Sequence, residues 1–180
     1  QGRCLFLGQP DAPLENIQLH DIDFTLHERK SFAGSKKPRG LRSLTDKAAN
    51  DFSDVPAHFS FAYVDGLVVD GLDIHDLSTG SANERRMIWG KEVSGLRLQN
   101  LRERLVTPNE KLPLVHFEAS QDLEITNCSP RTNTVPFLEL EGDRTSSVTL
   151  RNNDFRKGGK TFTTTDGATT SAVLSTQNIK

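Results

Sequence analysis

The stretch DGLVVDGLDI, from Asp65 to Ile74, carries the pattern that decides the fold of this 180-residue chain. Alternating apolar residues are followed by a turn residue, and similar ten-residue stretches recur along the chain. The other copies are ENIQLHDIDF (Glu15 to Phe24), SGLRLQNLRE (Ser94 to Glu103), QDLEITNCSP (Gln121 to Pro130) and SSVTLRNNDF (Ser146 to Phe155). Successive copies begin 50, 29, 27 and 25 residues apart. Three of these spacings are close to one turn of a parallel β-solenoid, and the first predicts a turn with an insertion.

Three columns align when the copies are stacked. The first apolar column contains Ile17, Leu67, Leu96, Leu123 and Val148, the second contains Leu19, Val69, Leu98, Ile125 and Leu150, and the turn column contains Asp21, Gly71, Asn100, Asn127 and Asn152. Such alternation predicts a short strand with one buried face that ends at a sharp corner. Because Asn tolerates left-handed backbone angles and stacked amides can hydrogen-bond, we expect the turn column to form an inward Asn ladder.

A second apolar run precedes each copy. These runs are Cys4 to Gly8, His58 to Val64, Met87 to Gly90, Leu114 to Ala119 and Pro136 to Gly142. Each coil therefore has at least two strands, and it can bury its inner face only against the coils above and below it. The sequence predicts an all-β fold, a single domain over residues 1–180 built as a parallel β-solenoid of about six coils, the last of them degenerate and near Ala172 to Asn178.

The composition limits the classes of partner. With 34% hydrophobic and 7% aromatic residues, the chain can fill the narrow core of a solenoid. A net charge of −2 gives no strong attraction to nucleic acid or to an anionic membrane, so we expect neither as a partner. No apolar run has the length of a membrane span. No signal peptide is present. Because the chain begins with Gln1 rather than Met, we expect a processed or excised piece of a longer protein.

The two cysteines, Cys4 and Cys128, fall in different columns and several coils apart, which predicts two buried free thiols. No Cys/His spacing suggests zinc, and we expect neither a metal nor a cofactor. The sequon formed by Asn127, Cys128 and Ser129 is discounted as a glycosylation site because Asn127 belongs to the predicted inward column.

Residues 25–56 interrupt the period and form a predicted inserted basic loop. Long loops that leave a regular scaffold are often functional, although a solvated loop without a ligand is the simpler interpretation. Its cations could hold the carboxylates of an acidic polysaccharide. The candidate substrate-binding residues are Arg29, Lys30, Lys36, Lys37 and Arg39 of this loop, together with Arg86 on the solenoid flank.

Other polar residues are weaker candidates for a site. The neighbours His20 and Asp21 resemble an acid–base pair, as do His75 and Asp76, but the two pairs are not at equivalent places in their copies. Glu139, Glu141 and Asp143 could bind calcium, although alternating glutamates are more simply the outward face of a strand. Residues 78–86 and 102–113 are predicted corner loops, and Glu103 is expected on a solvated face.

Four segments resemble the C-terminal coils of polygalacturonase-like proteins of glycoside hydrolase family 28. They are RCLFLGQPDAPLENIQLHDIDF (Arg3 to Phe24), VPAHFSFAYVDGLVVDGLDI (Val55 to Ile74), ERRMIWGKEVSGLRLQNL (Glu84 to Leu101) and PFLELEGDRTSSVTLRNNDFRKG (Pro136 to Gly158). The order of these segments carries the resemblance, which covers most of the chain outside residues 25–56. It implies a right-handed, single-stranded parallel β-helix of the pectin lyase-like kind.

The resemblance also implies an extracytoplasmic parent enzyme that hydrolyses pectin or a related acidic polysaccharide with inversion. The family's catalytic motifs, N-T-D, D-D, G-H-G and R-I-K, are missing from this chain. Asn152, Asn153 and Asp154 do not replace them, because they form a corner of a late coil. No catalytic residue is therefore assigned, and the chain alone is expected to be inactive. The alternative is a non-catalytic β-helix for carbohydrate binding, adhesion or assembly.

The first coil begins directly with the strand CLFL and has no polar cap. An uncapped end exposes unpaired backbone groups and apolar core. We therefore expect this end to pair with an N-terminal remainder of the same β-helix or with another chain.

Overall fold

A computed structural model describes residues 4–26, 57–77, 86–105, 112–130, 136–157 and 159–179. This part of the chain is almost entirely β-structure. The strands are β1 (Cys4–Leu7), β2 (Leu14–Leu26), β3 (Ala57–Asp76), β4 (Arg86–Gln99), β5 (Arg102–Leu105), β6 (Val115–Glu118), β7 (Gln121–Thr126), β8 (Leu138–Glu141), β9 (Ser146–Arg151), β10 (Phe162–Thr165) and β11 (Val173–Thr176). One 3-10 turn, Thr170–Ala172, precedes β11.

All strand pairings among these elements are parallel, and the eleven strands form one sheet. One path of neighbours runs β1, β3, β4, β6, β8, β10, and a second runs β2, β3, β4, β7, β9, β11. The strands β3 and β4 belong to both paths because each continues through the corner between them. The all-β, parallel architecture predicted from the repeat is confirmed, with six successive levels of strands in the described ranges.

The register confirms the predicted columns. In the first column, Leu67 pairs with Ile17 on one side and with Leu96 on the other, and the pairing continues to Leu123 and Val148. The sixth level adds Val173 opposite Val148, so the degenerate last repeat predicted near the C-terminus contributes a parallel strand, β11. The fourth and fifth levels repeat the same two-strand unit.

The corners are formed by residues with left-handed backbone angles. The predicted turn column has positive φ throughout: Asp21 (50°), Gly71 (72°), Asn100 (56°), Asn127 (54°), Asn152 (56°) and, on the sixth level, Gln177 (53°). A second such column lies just before the first apolar residue and contains Asn16, Gly66, Gly95, Asp122 and Ser147. Asn, Asp and Gly are the residues that tolerate this region best, which explains their recurrence. Each long strand therefore bends at fixed positions rather than running straight.

The inner sides of these strands form one continuous hydrophobic core. Leu98 and Ile125 are completely buried, as are Phe61, Phe117 and Leu140 in the neighbouring path. A smaller apolar cluster lies apart from this core and contains Ala57, Ala62 and Trp89, with Leu7 and Tyr63 packed against it.

The hydrogen-bonded Asn ladder is not in the predicted column but one residue later. Asn127 and Asn152 are exposed, whereas Asn153 is completely buried. The Nδ2 of Asn153 donates to the carbonyl of Ile125 (3.0 Å), and its Oδ1 accepts from the backbone N–H of Cys128 (2.8 Å). Asn178 repeats this contact by donating to the carbonyl of Leu150 at 2.8 Å. The left-handed residue turns its own side chain outward and directs the next one inward, so the argument used to discount Asn127 as a glycosylation site was wrong.

Three smaller predictions were also wrong. Cys128 is buried, but Cys4 is only half-buried because no described strand covers β1 on its outer edge; both thiols are free. Residues 102–105, predicted as loop, form β5 and pair with Asp73 to Asp76 of β3. Glu103 lies opposite Ile74 in that pairing and is 1% exposed, not on a solvated face.

The first two residues of the predicted inserted loop, Thr25 and Leu26, belong to β2. Residues 27–56 lie outside the described residues. No helix that could span a membrane is found in the described ranges.

Candidate functional site

The outer face of β4, β6 and β8 carries charged side chains around a buried histidine. In register, Trp89 of β4, His116 of β6 and Glu139 of β8 form one outward column. The next outward column, two residues along each strand, contains Lys91, Glu118 and Glu141. We refer to Arg86, Lys91, His116, Glu118, Glu139 and Glu141 as the outer-face cluster.

His116 is the centre of this cluster, and its side chain is only 5% exposed. Its Nδ1 lies 3.0 Å from Oε2 of Glu139, and its Nε2 lies 3.0 Å from Oε2 of Glu141. The first contact has the geometry of a hydrogen bond. The second is close enough for one but is not aligned, so Nε2 is a buried polar atom without a hydrogen-bond partner. One imidazole ring thus lies between two carboxyl groups.

The contact with Glu139 is consistent with one placement of the ring proton. When the carboxylate of Glu139 accepts the hydrogen bond, Nδ1 carries the proton, and a neutral ring then leaves Nε2 as an acceptor. The pKa of His116 is lowered, first by burial and second by the positive charge of Arg86; the charge of Glu139 opposes this shift. The neutral ring is therefore the favoured form, and its bare Nε2 faces the carboxyl group of Glu141.

The two glutamates of β8 have different surroundings. Glu139 has a cation beside it, because Nη2 of Arg86 donates to its Oε2 at 3.4 Å. The pKa of Glu141 is raised by burial and then by the negative charges of Glu118, Asp166 and Glu139. Glu141 is therefore a carboxyl group that retains its proton to higher pH than an ordinary glutamate.

Lys91 and Glu118 form a separate ion pair at the side of the cluster. The Nζ of Lys91 donates to Oε1 of Glu118 at 2.5 Å, and this hydrogen bond is the main reason why the pKa of Lys91 is raised. Because Lys91 is paired with Glu118, its charge is not directed to Glu141.

The corner that follows each of these strands is held by a hydroxyl group, which positions the cluster. Oγ of Ser120 donates to the carbonyl of Glu118 (2.9 Å) and accepts from the backbone N–H of Val93 (3.1 Å). One level further, Oγ1 of Thr145 donates to the carbonyl of Glu141 at 2.5 Å. The bond between Val93 and Ser120 links adjacent levels, and the other two fix the ends of the strands that carry Glu118 and Glu141.

Only one of the predicted substrate-binding residues can be located. Arg86 begins β4, its side chain is 14% exposed, and it binds Glu139 rather than pointing into open solvent. The other five candidates, Arg29, Lys30, Lys36, Lys37 and Arg39, lie outside the described residues.

The two His–Asp pairs do not form a common site. His20 is in register with Asp70, whereas His75 is in register with Thr25, so the two histidines occupy different columns. Nε2 of His75 lies 3.0 Å from Oδ1 of Asp73, on its own strand. The suggestion of calcium binding at Glu139 and Glu141 gains no support, because no group of three or more His, Cys, Asp or Glu residues in the described ranges could hold a metal ion.

Sequence analysis did not identify His116 as a site residue. The alternation in LVHFEA and PFLELEG indicated which side chains face outward, and the pairing of repeats could have aligned His116 with Glu139. The contact of both imidazole nitrogens with carboxyl groups depends on side-chain orientation, which the alternation does not specify.

Comparisons with known proteins gave no match, whether against family models, curated proteins or solved structures.

Proposed function

We propose that this chain forms coils of a polysaccharide-cleaving glycoside hydrolase, built as a right-handed parallel β-helix and resembling the polygalacturonase-like proteins. The in-register parallel pairing and the repeated left-handed corners support the β-helix part of this proposal. The observation that carries the enzymatic part is His116 held between Glu139 and Glu141 on the outer face. The working location of such an enzyme would be extracytoplasmic.

Hydrolysis of a glycosidic bond needs one carboxyl group that gives a proton and one that takes a proton. The pKa of Glu141 is raised by burial and by nearby negative charges, so Glu141 has the character of the acid. Glu139, beside Arg86, has the character of the carboxylate base. Both described contacts of Glu139 use Oε2, which leaves Oε1 to accept a proton from water.

The spacing of the two groups also suits this chemistry. Their Oε2 atoms each lie 3.0 Å from opposite nitrogens of one imidazole ring, so they are at most about 8 Å apart, an upper limit that falls in the range for inverting glycosidases. Since the His116 ring lies between them, the water and the glycosidic bond would have to approach the pair from the outer face. In the proposed reaction, Glu141 protonates the glycosidic oxygen as its bond to the anomeric carbon breaks. Water attacks that carbon and gives its proton to Glu139, and solvent exchange restores both carboxyl groups.

His116 acts as a positioning residue in this proposal. Its Nδ1–H holds Glu139, and its bare Nε2 can accept a hydrogen bond from protonated Glu141. The pair differs from the catalytic motifs of the resembling family, which this chain lacks, because both carboxyl groups come from the single strand β8.

Substitution of each glutamate by glutamine, which keeps the shape of the side chain but cannot ionise, tests the assignment. Glu141→Gln and Glu139→Gln should each lower kcat at least about 100-fold, since general acid–base catalysis contributes about 10² to 10⁴. Glu124→Gln is the matched control: Glu124 is also an outward, ion-paired glutamate, bonded to Arg151 at 3.1 Å, but it lies on β7 outside the cluster. Its kcat should be unchanged. The assay is release of reducing ends from polygalacturonate and from neutral polysaccharides, with melting curves to establish folding. Equal activity of all three folded variants would refute the roles given to Glu139 and Glu141.

A non-catalytic carbohydrate-binding β-helix is the second candidate. The absence of the family's catalytic motifs from the sequence favours it. Saturable oligosaccharide binding without any cleavage by the wild-type chain would establish this alternative over the first.

The edge of β1 and β2 supports the proposal that a further coil or another chain pairs with the N-terminal level. Among described strands, β1 and β2 pair with β3 alone. Their inward residues are only partly buried, including Phe6, Ile17 and Leu19. At the opposite end the columns of Phe6 and Leu19 finish with Thr164 and Ser175, which tolerate water, whereas the column of Ile17 finishes with Val173.

A further inference from the structure

A groove of about 300 Å³ lies at the corner immediately beyond the outer-face cluster. We call it the corner groove. It is lined by Gln9, Pro10, Pro13, Tyr63, Val64, Asp65, Glu92, Val93, Ser94, Ala119, Gln121 and Arg144. Its volume is at the lower end of the range for small-molecule sites in proteins.

The groove exists because side chains become smaller along one corner column. Tyr63, Glu92, Ala119 and Gly142 follow one another from level to level, and all four have positive φ. The small Ala119 and Gly142 leave a depression beside the larger Tyr63 and Glu92. Arg144 crosses this depression from the turn after β8 and forms an ion pair with Glu92, two levels away.

The corner groove continues directly from the outer-face cluster. Lys91 precedes Glu92, Glu118 precedes Ala119, and Glu141 precedes Gly142 in the sequence. One extended polymer could therefore lie in the groove and reach the carboxyl group of Glu141 with its next units.

The lining matches the two kinds of surface on a sugar. Tyr63, Pro10 and Pro13 provide ring faces for the C–H face of a pyranose. Gln121 and Ser94 can bond hydroxyl groups, and the hydroxyl of Ser94 is held by Oδ1 of Asp65 at 2.6 Å. A sugar hydroxyl both donates and accepts, so it can bond an acidic side chain and an arginine alike.

The charges of the groove discriminate between sugars. Two acidic residues, Asp65 and Glu92, face one basic residue, Arg144, and the charge of Arg144 is already matched by Glu92. A uronate carboxylate would face repulsion from both acids and would have to displace Glu92 to reach the guanidinium group. A neutral sugar with vicinal hydroxyls faces neither cost.

We propose that the corner groove binds a neutral sugar unit of the polysaccharide, next to the bond that is cleaved. The inference rests on the proposed function for the nature of the ligand, but it concerns binding at a separate set of residues.

Calorimetric titration of the Glu141→Gln protein measures binding without cleavage. The probes are neutral hexaoses, namely those of cellulose, xylan and galactan, and hexagalacturonate. At least one neutral hexaose should bind more tightly than hexagalacturonate. Arg144→Ala and Gln121→Ala should each weaken that binding about 10-fold, whereas Arg151→Ala, which removes an exposed, ion-paired arginine outside the groove, should not.

The outcomes separate the two proposals. Binding that depends on Arg144 and Gln121, in a chain that cleaves no glycan, would support the groove and overturn the assignment of Glu139 and Glu141. If the chain cleaves a glycan but neither substitution weakens the binding of a neutral sugar, in proteins with wild-type melting curves, the proposal for the groove is overturned. Preferential binding of hexagalacturonate would overturn the neutral-sugar assignment, as would the absence of binding by any of the four probes.

Discussion

Truncation of one inward leucine tests whether the stacked columns carry the stability of the chain. Leu98 is completely buried and lies between Val69 and Ile125 on the adjacent levels. Leu98→Ala removes three buried carbons, which at about 0.8 kcal/mol per CH₂ corresponds to about 2.4 kcal/mol of lost transfer free energy. The cavity left between two rigid levels adds to this loss, so the free energy of unfolding should fall by about 3 to 5 kcal/mol.

Leu174→Ala is the matched control for this prediction. Leu174 also lies in a strand of the parallel sheet, β11, but its side chain is 61% exposed. The same truncation there should change the free energy of unfolding by less than about 0.5 kcal/mol. Chemical denaturation followed by circular dichroism gives both values. Equal effects at the two positions would refute the inward orientation of the Leu98 column.

Three further predictions concern buried polar groups. Asn153→Ala leaves the backbone N–H of Cys128 without its partner, so the free energy of unfolding in a denaturant titration should fall by at least about 2 kcal/mol. Asn127→Gly, at an exposed left-handed position, should change it by less than about 0.5 kcal/mol. Equal losses at the two positions would contradict the ladder. Burial and Arg86 lower the pKa of His116 in the folded state, so below the ordinary value of 6.5 the unfolded chain takes up a proton that the folded chain does not. The free energy of unfolding of the wild type should therefore fall relative to that of His116→Gln as pH falls below 6.5. Parallel curves of this free energy against pH would contradict the prediction. Burial raises the pKa of Cys128 to about 12, so a thiol reagent at pH 8 should modify Cys4 alone until denaturant is added; rapid reaction of both thiols would disprove the burial of Cys128.

The parallel architecture could be predicted because the repeat encodes it directly. Each copy places an apolar residue in the same column, and a level can bury that residue only against the next copy. Leu67, Leu96 and Leu123 are neighbours in the sheet although they are 29 and 27 residues apart in the chain. The turn column could also be predicted, since Asn and Gly are the residues that best tolerate left-handed backbone angles.

The position of the Asn ladder could not be predicted from the same column. A residue with left-handed backbone angles points its own side chain outward and the next side chain inward. The ladder therefore contains Asn153 rather than Asn152. In the last copy both positions are Asn, but the equivalent residues Leu72, Leu101 and Cys128 are apolar and buried, which is the sign in the sequence that the second position faces inward. Similarly, Glu103 is charged, yet its strand pairing with Ile74 places it inward.

The candidate site was the part least accessible from the sequence. The predictions concentrated on the cations of residues 25–56, because clustered charge is visible without structure. The outer-face cluster comes from strands at different levels, and its members share no motif. His116 is distinguished by two carboxyl contacts and by burial, which depend on the register of β6 with β8 and on side-chain orientation.

The central claim is that the outer-face cluster cleaves a polysaccharide. The most direct measurement is a time course of reducing ends released by the purified wild-type chain from polygalacturonate, xylan, galactan and cellulose, over a range of pH. In contrast to the expectation from the missing family motifs that the chain alone is inactive, the proposed roles of Glu139 and Glu141 predict cleavage of at least one of them, with activity that falls as pH rises and Glu141 loses its proton. No release from any of the four at any pH would contradict the claim.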